Sequence, residues 1–132
     1  MRTLPIRNWI LQQLVKLFVV NVITEDVLGF VDSDVAFIHP FDHSRFVKNG
    51  NVRLYRESNS IPEDWRNFVK WYDTASKLLG VPRVSYSALN FIGDLVTWKR
   101  SNVFKLHRHL EDRYGRFFAT LCQYCHILAN LY

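Results

Sequence analysis

The stretch Val27-Leu28-Gly29-Phe30-Val31-Asp32-Ser33-Asp34 decides how this chain is read. Five apolar residues, two of them β-branched, run straight into an acidic triplet, the pattern of a short buried strand that leaves its sheet at Asp32. The next apolar run, Val35-Ala36-Phe37-Ile38, is closed by His39-Pro40, so a turn and a second short strand are expected there. Two carboxylates one residue apart at a strand exit can both face one ligand. Such a pair suits a hard divalent cation that keeps several waters and bridges substrate phosphates, and open α/β sheets bind ligands at the carboxyl ends of their strands. Two solvated turn acids would give the same triplet, so the spacing alone leaves both readings open.

Working outward, Ile6 to Val20 reads as a helix: Trp9, Ile10, Leu14, Leu17 and Phe18 recur at three- and four-residue steps, and Gln12, Lys16 and Arg7 form a polar stripe. Asn49-Gly50-Asn51 is turn chemistry, and Val52 to Arg56 alternates apolar and basic residues like a half-exposed strand. A second helix is expected from Ser60, with Pro62 in its first turn, to a stop at Gly80-Val81-Pro82. Leu89 to Thr97 predicts a strand interrupted by Gly93-Asp94. A helix capped by Ser101 follows, breaking at Tyr114-Gly115, and a last apolar helix runs from Phe117 to the end. Strands alternating with helices predict an α/β fold, a mixed sheet with flanking helices.

With 132 residues, 48% hydrophobic and 15% aromatic, the chain can bury one core and is read as a single domain over residues 1–132. That much aromatic surface excludes intrinsic disorder. Cys122 and Cys125 alone cannot staple a chain of this length, which excludes a disulfide scaffold and suits a reducing, cytoplasmic compartment. The formal charge is +5, but the basic residues are scattered singly or in pairs. A solvated basic surface is therefore expected rather than a nucleic-acid groove. Gln12, Gln13, Lys16 and Asn21 interrupt the N-terminal apolar run too often for a membrane span, and no cleavage site follows.

The helix Trp9-Ile10-Leu11-Gln12-Gln13-Leu14-Val15-Lys16-Leu17, the strand ending in Asp32-Ser33-Asp34, and the step Phe37-Ile38-His39-Pro40-Phe41 together resemble a bacterial glycosyltransferase family of the GT-A type. Trp71, Ala75, Leu78-Leu79-Gly80-Val81-Pro82, Tyr86, Leu95-Val96-Thr97-Trp98-Lys99-Arg100, Glu111 and Gly115 are similar to its middle and late segments, in order along most of the chain. The resemblance implies a GT-A-like fold and metal-dependent transfer from a nucleotide sugar donor to a glycan or lipid acceptor. It gives Asp32 and Asp34 the role of holding Mn²⁺ or Mg²⁺ against the donor diphosphate. Gln12, Gln13 and Lys16 become donor contacts, although a solvated helix face is the alternative for the glutamines.

Two departures qualify the resemblance. The family's base-binding elements precede the tryptophan helix, with which this chain begins. The family's terminal Ser-Glu-Tyr motif has no counterpart in Cys122-Gln123-Tyr124-Cys125-His126. A truncated domain is expected, and a non-catalytic remnant or protein-interaction module is the alternative function. An incomplete sheet exposes apolar edges, so a homodimer is an expected partner state. Asp94, after Gly93 at a break between apolar runs, is the candidate general base or acceptor-binding residue, with a plain turn acid as alternative. Trp98 and Lys99 are candidate donor contacts, an aromatic platform and a cation, with Trp98 equally suited to the core.

Overall fold

The structure, a computed structural model, describes residues 8–40, 42–58, 61, 64–82, 90–91 and 93–116. The chain divides into two compact units: Met1–Asp26 with Arg100–Tyr132, and Val27–Lys99.

In the first unit, helix α1 (Asn8–Phe18) tightens into a 3-10 turn at Val19–Asn21. Ile10 and Leu14, one turn apart, are buried, and Val20 is fully enclosed. Helix α3 (Arg100–Tyr114) contributes Val103, His107 and Leu110 to the same core at three- and four-residue steps. Arg100 fastens the start of α3. Its amide donates to the Asp26 carbonyl at 2.8 Å, its Nε donates to the Val20 carbonyl at 2.9 Å, and its guanidinium lies 4.8 Å from the Phe104 ring centre. The expected break at Tyr114-Gly115 is present: Gly115 takes φ +78°, which favours a residue without Cβ, and donates to the Glu111 carbonyl.

The second unit is built on strand β1 (Val27–Val31), which has the bounds its apolar run predicts. Its partner is β4 (Leu95–Lys99), antiparallel, with Val27 opposite Lys99, Gly29 opposite Thr97 and Val31 opposite Leu95. Alternation puts Leu28, Phe30, Val96 and Trp98 on one face of this ribbon, where the Phe30 and Trp98 rings meet at 4.7 Å between centres. Gly29, Leu95, Thr97 and Lys99 take the other face.

Strands β2 (Val47–Lys48) and β3 (Asn51–Val52) form a hairpin through Asn49 and Gly50, at φ +53° and +73°. Two consecutive positive φ values are what a two-residue hairpin turn requires, and Asn-Gly supplies them at least strain. From the turn, the chain runs antiparallel to β4 and the residues before it. Lys99 Nζ donates to the Gly50 carbonyl at 3.3 Å, Thr97 Oγ1 donates to the Arg53 carbonyl at 2.7 Å, and Glu57 and Asn90 exchange backbone bonds at 2.9 and 2.8 Å. Of the strand expected at Val52–Arg56, only Val52 lies in β3; Arg53 to Arg56 are irregular chain, held at Arg53 by the Thr97 side chain.

Helix α2 spans Arg66–Leu79 and ends on Gly80, left-handed at φ +66°, whose amide donates to the Lys77 and Ser76 carbonyls; Pro82 follows. Its start lies later than Ser60; Ser60, Pro62 and the last expected helix, from Phe117, fall outside the described residues. The strand expected at Val35–Ile38 is absent. The Val35 amide turns back onto the Asp32 carbonyl at 3.1 Å, Phe37 and Ile38 are 52% and 84% exposed, and this apolar run joins no ladder among the described residues. Helices with small sheets fit the α/β class, and both ladders among the described residues are antiparallel. Among the described residues, no helix is long and apolar enough to cross a membrane.

Candidate functional site

The acidic triplet occupies the turn at the end of β1. Asp32, Ser33 and Asp34 are all exposed, and the turn is closed by the bond from the Val35 amide to Asp32. One step beyond the pair Val31–Leu95, the Asp32 amide donates to the Asp94 carbonyl at 3.4 Å, so Asp94 lies directly across the ladder's end from Asp32. Residues facing each other across antiparallel strands have Cα atoms about 5 Å apart. Three carboxylates are therefore carried by two adjacent strand ends.

Asp94 is held from its N-terminal side. A Cβ on Gly93 would sit 3.1 Å from three ring atoms of Tyr55, a close approach that the missing side chain permits. The Tyr55 hydroxyl donates to the Glu57 carboxylate at 3.3 Å, and the backbone of Glu57 is bridged to Asn90. Desolvation raises the Tyr55 pKa above the ordinary 10.0, and the Glu57 charge and hydrogen bond and the Asp94 charge add to it. Tyr55, Glu57 and Asn90 were not singled out from sequence. The alternating run Val52–Arg56 marks an extended segment, but nothing local shows that its tyrosine rests on Gly93.

Trp98 is half-buried against Phe30. Lys99 pairs with Val27 at the opposite end of the ladder, five residues from Asp94 and so about 17 Å along the strand, and its ammonium binds the hairpin turn. The ladder does not bring Lys99 to the triplet. Gln12, Gln13 and Lys16 lie on α1 in the first unit, Gln12 exposed and the other two half-buried; Gln12 and Lys16 share a helix face. Cys122, Cys125 and His126 lie outside the described residues.

Asp32 and Asp34 offer exposed, hard oxygen donors. Among the described residues, no three His, Cys, Asp or Glu side chains group closely enough to hold a metal ion. A two-carboxylate site fits an ion of the Mg²⁺ or Mn²⁺ kind, which retains waters and completes its shell on substrate phosphates, and does not fit a dedicated all-protein cage.

Neither the curated proteins nor the solved structures provide a match to this chain. The model of a family of unknown function matches residues 1–128, nearly the whole sequence. The chain therefore belongs to the family of unknown function DUF6492.

Proposed function

We propose that this chain is a GT-A-like domain that binds the diphosphate of a nucleotide sugar through a divalent cation at Asp32 and Asp34, with Asp94 serving the acceptor. The observation that carries this reading is the placement of Asp94 opposite Asp32, at the end of β1 where the triplet turns out. The bound Mn²⁺ or Mg²⁺ would neutralise diphosphate charge and so favour its departure. Asp32 and Asp34, on one turn, supply its protein oxygens. Asp94, within a substrate's width, is placed to accept a proton from an acceptor hydroxyl, or to hold that hydroxyl by a hydrogen bond.

Calorimetry of UDP and GDP with Mn²⁺ tests this reading. The native chain is expected to bind only with the cation present, because Asp32 and Asp34 hold the diphosphate through it. Equal binding by the native chain and the Asp32→Ala, Asp34→Ala variant would remove the triplet from the function.

One observation favours the second reading, a non-catalytic interaction module. No residue of α2 is buried, and Trp65, Phe68 and Trp71 form a row of rings with centres 5.2 and 4.9 Å apart, Trp65 being 49% exposed. Such a row can serve as a contact surface, a second copy of the chain included. A nucleoside diphosphate whose binding ignores Mn²⁺, together with concentration-dependent dimerisation that Trp65→Ala abolishes, would favour it.

A further inference from the structure

The segment from His43 to Arg56 gathers positive charge on one arm of the second unit. It contains Arg45, Lys48, Arg53 and Arg56 and no aspartate or glutamate. All four are exposed, and none has a carboxylate partner among the described residues. The acids that bracket the segment are engaged locally: Asp42 accepts from the Ser44 amide and hydroxyl at 3.2 and 3.0 Å, and Glu57 accepts from Tyr55.

The backbone holds these charges in a defined arrangement. Val47 pairs with Val52 and Lys48 with Asn51, and the Arg53 amide continues the ladder to the Phe46 carbonyl at 2.8 Å, so Lys48 and Arg53 fall on the same face of the hairpin. Lys99, bound to the Gly50 carbonyl, adds a fifth cation at the turn and ties the arm to β4. Between the last two arginines stand Leu54, 63% exposed, and Tyr55, 38% exposed. The order Arg53-Leu54-Tyr55-Arg56 thus interleaves cations with an exposed aliphatic and an aromatic side chain.

We propose that this arm, Arg45 to Arg56, is a docking surface for an anionic lipid bilayer. Charge complementarity selects the partner's sign: four exposed cations near an anionic headgroup layer each strengthen binding about fivefold. The exposed leucine selects a bilayer over a polynucleotide. An interface offers it an apolar phase beneath the phosphates, into which Leu54 can sink while the flanking arginines keep their heads at the phosphate level. The proposal is independent of any activity at Asp32 and Asp94.

Co-sedimentation of the whole chain with phosphatidylcholine vesicles, with and without phosphatidylglycerol, at about 0.1 M salt tests it. Binding is expected only to the anionic vesicles. Lys48→Glu with Arg53→Glu is expected to weaken it about twentyfold or more, and Leu54→Ser to weaken it further at raised salt, where the charge contribution is screened. Lys105→Glu with Arg108→Glu imposes the same change in net charge on exposed positions of α3 and is expected to change binding by no more than about twofold. Circular dichroism checks the fold, and Lys48→Gln with Arg56→Gln replaces the reversal pair if that pair unfolds. No binding to anionic vesicles, equal losses from the arm and α3 pairs, or binding to duplex nucleic acid as tight as to the vesicles with no effect of Leu54→Ser would each overturn the proposal.

Discussion

Asp32 and Asp94 face each other across the end of the β1–β4 ladder, joined by the Asp32 amide and the Asp94 carbonyl at 3.4 Å although 62 positions separate them in the chain. The geometry follows from register. Once Val31 pairs with Leu95, the next residue on one strand and the preceding one on the other must meet, and both are aspartates. A turn acid and a bend acid that look unrelated in sequence become one local feature.

Their roles separate by substitution. Under the proposed function, Asp32→Ala with Asp34→Ala weakens Mn²⁺-dependent UDP binding at least about tenfold, since both protein oxygens of the cation are removed. Asp94→Asn leaves that binding unchanged and removes whatever sugar transfer the chain supports. Calorimetry and a transfer assay on the same preparations read the two effects. Loss of binding in Asp94→Asn would place that residue with the donor instead of the acceptor.

Gly93→Ala is expected to destabilise the second unit by about 1 to 3 kcal/mol, because the new methyl meets the Tyr55 ring at 3.1 Å and that ring is held through its hydroxyl by Glu57. Tyr55→Ala removes the obstacle, so the double variant should be less destabilised than the sum of the single ones. Urea denaturation of the four proteins measures the coupling. Additive losses would mean that the ring yields freely and does not buttress the segment carrying Asp94.

What could be read in advance was local. The bounds of β1 followed from an apolar run cut by acids, the end of α2 from Gly80, and the hairpin turn from Asn49-Gly50, because each signal is carried by neighbouring residues. Pairing is not local. Val35 to Ile38 has the composition of a strand, yet the partner of β1 comes from Leu95–Lys99, and Phe37 and Ile38 are left exposed. The chemistry of Lys99 suits a donor contact, but only the register shows that it stands at the end of the ladder away from Asp94. Tyr55 against Gly93 is likewise a contact across 38 positions that no spacing rule reports.

Thr97 shows how the irregular chain after the hairpin is retained. Its hydroxyl, on a residue only 8% exposed, donates to the Arg53 carbonyl at 2.7 Å. Thr97→Val keeps the shape and the β-branch but removes the donor, leaving a carbonyl unsatisfied. A loss of about 1 to 2 kcal/mol is expected, with faster amide exchange at Arg53, whose own bond to Phe46 closes the hairpin. Unchanged exchange there would show that the ladder alone holds the arm.

His107 makes the first unit sensitive to acid. The ring is 8% exposed, 5.7 Å from Phe18 and 6.1 Å from Phe104 between ring centres. Burial lowers its pKa below the ordinary 6.5; a bond to the Leu17 carbonyl and the charge of Glu111 oppose that shift without cancelling it. In the folded chain the imidazole therefore stays neutral at a pH where the unfolded chain already holds the extra proton. Below pH 6.5 the unfolded state binds more protons than the folded one, so stability is complete above that value and declines as pH falls toward the lowered folded pKa. Urea midpoints measured from about pH 8 to 5 should fall for the native chain. They should fall less for His107→Leu, which keeps the core filled and has no proton to gain. Parallel pH profiles for the two proteins would show that the decline comes from other groups.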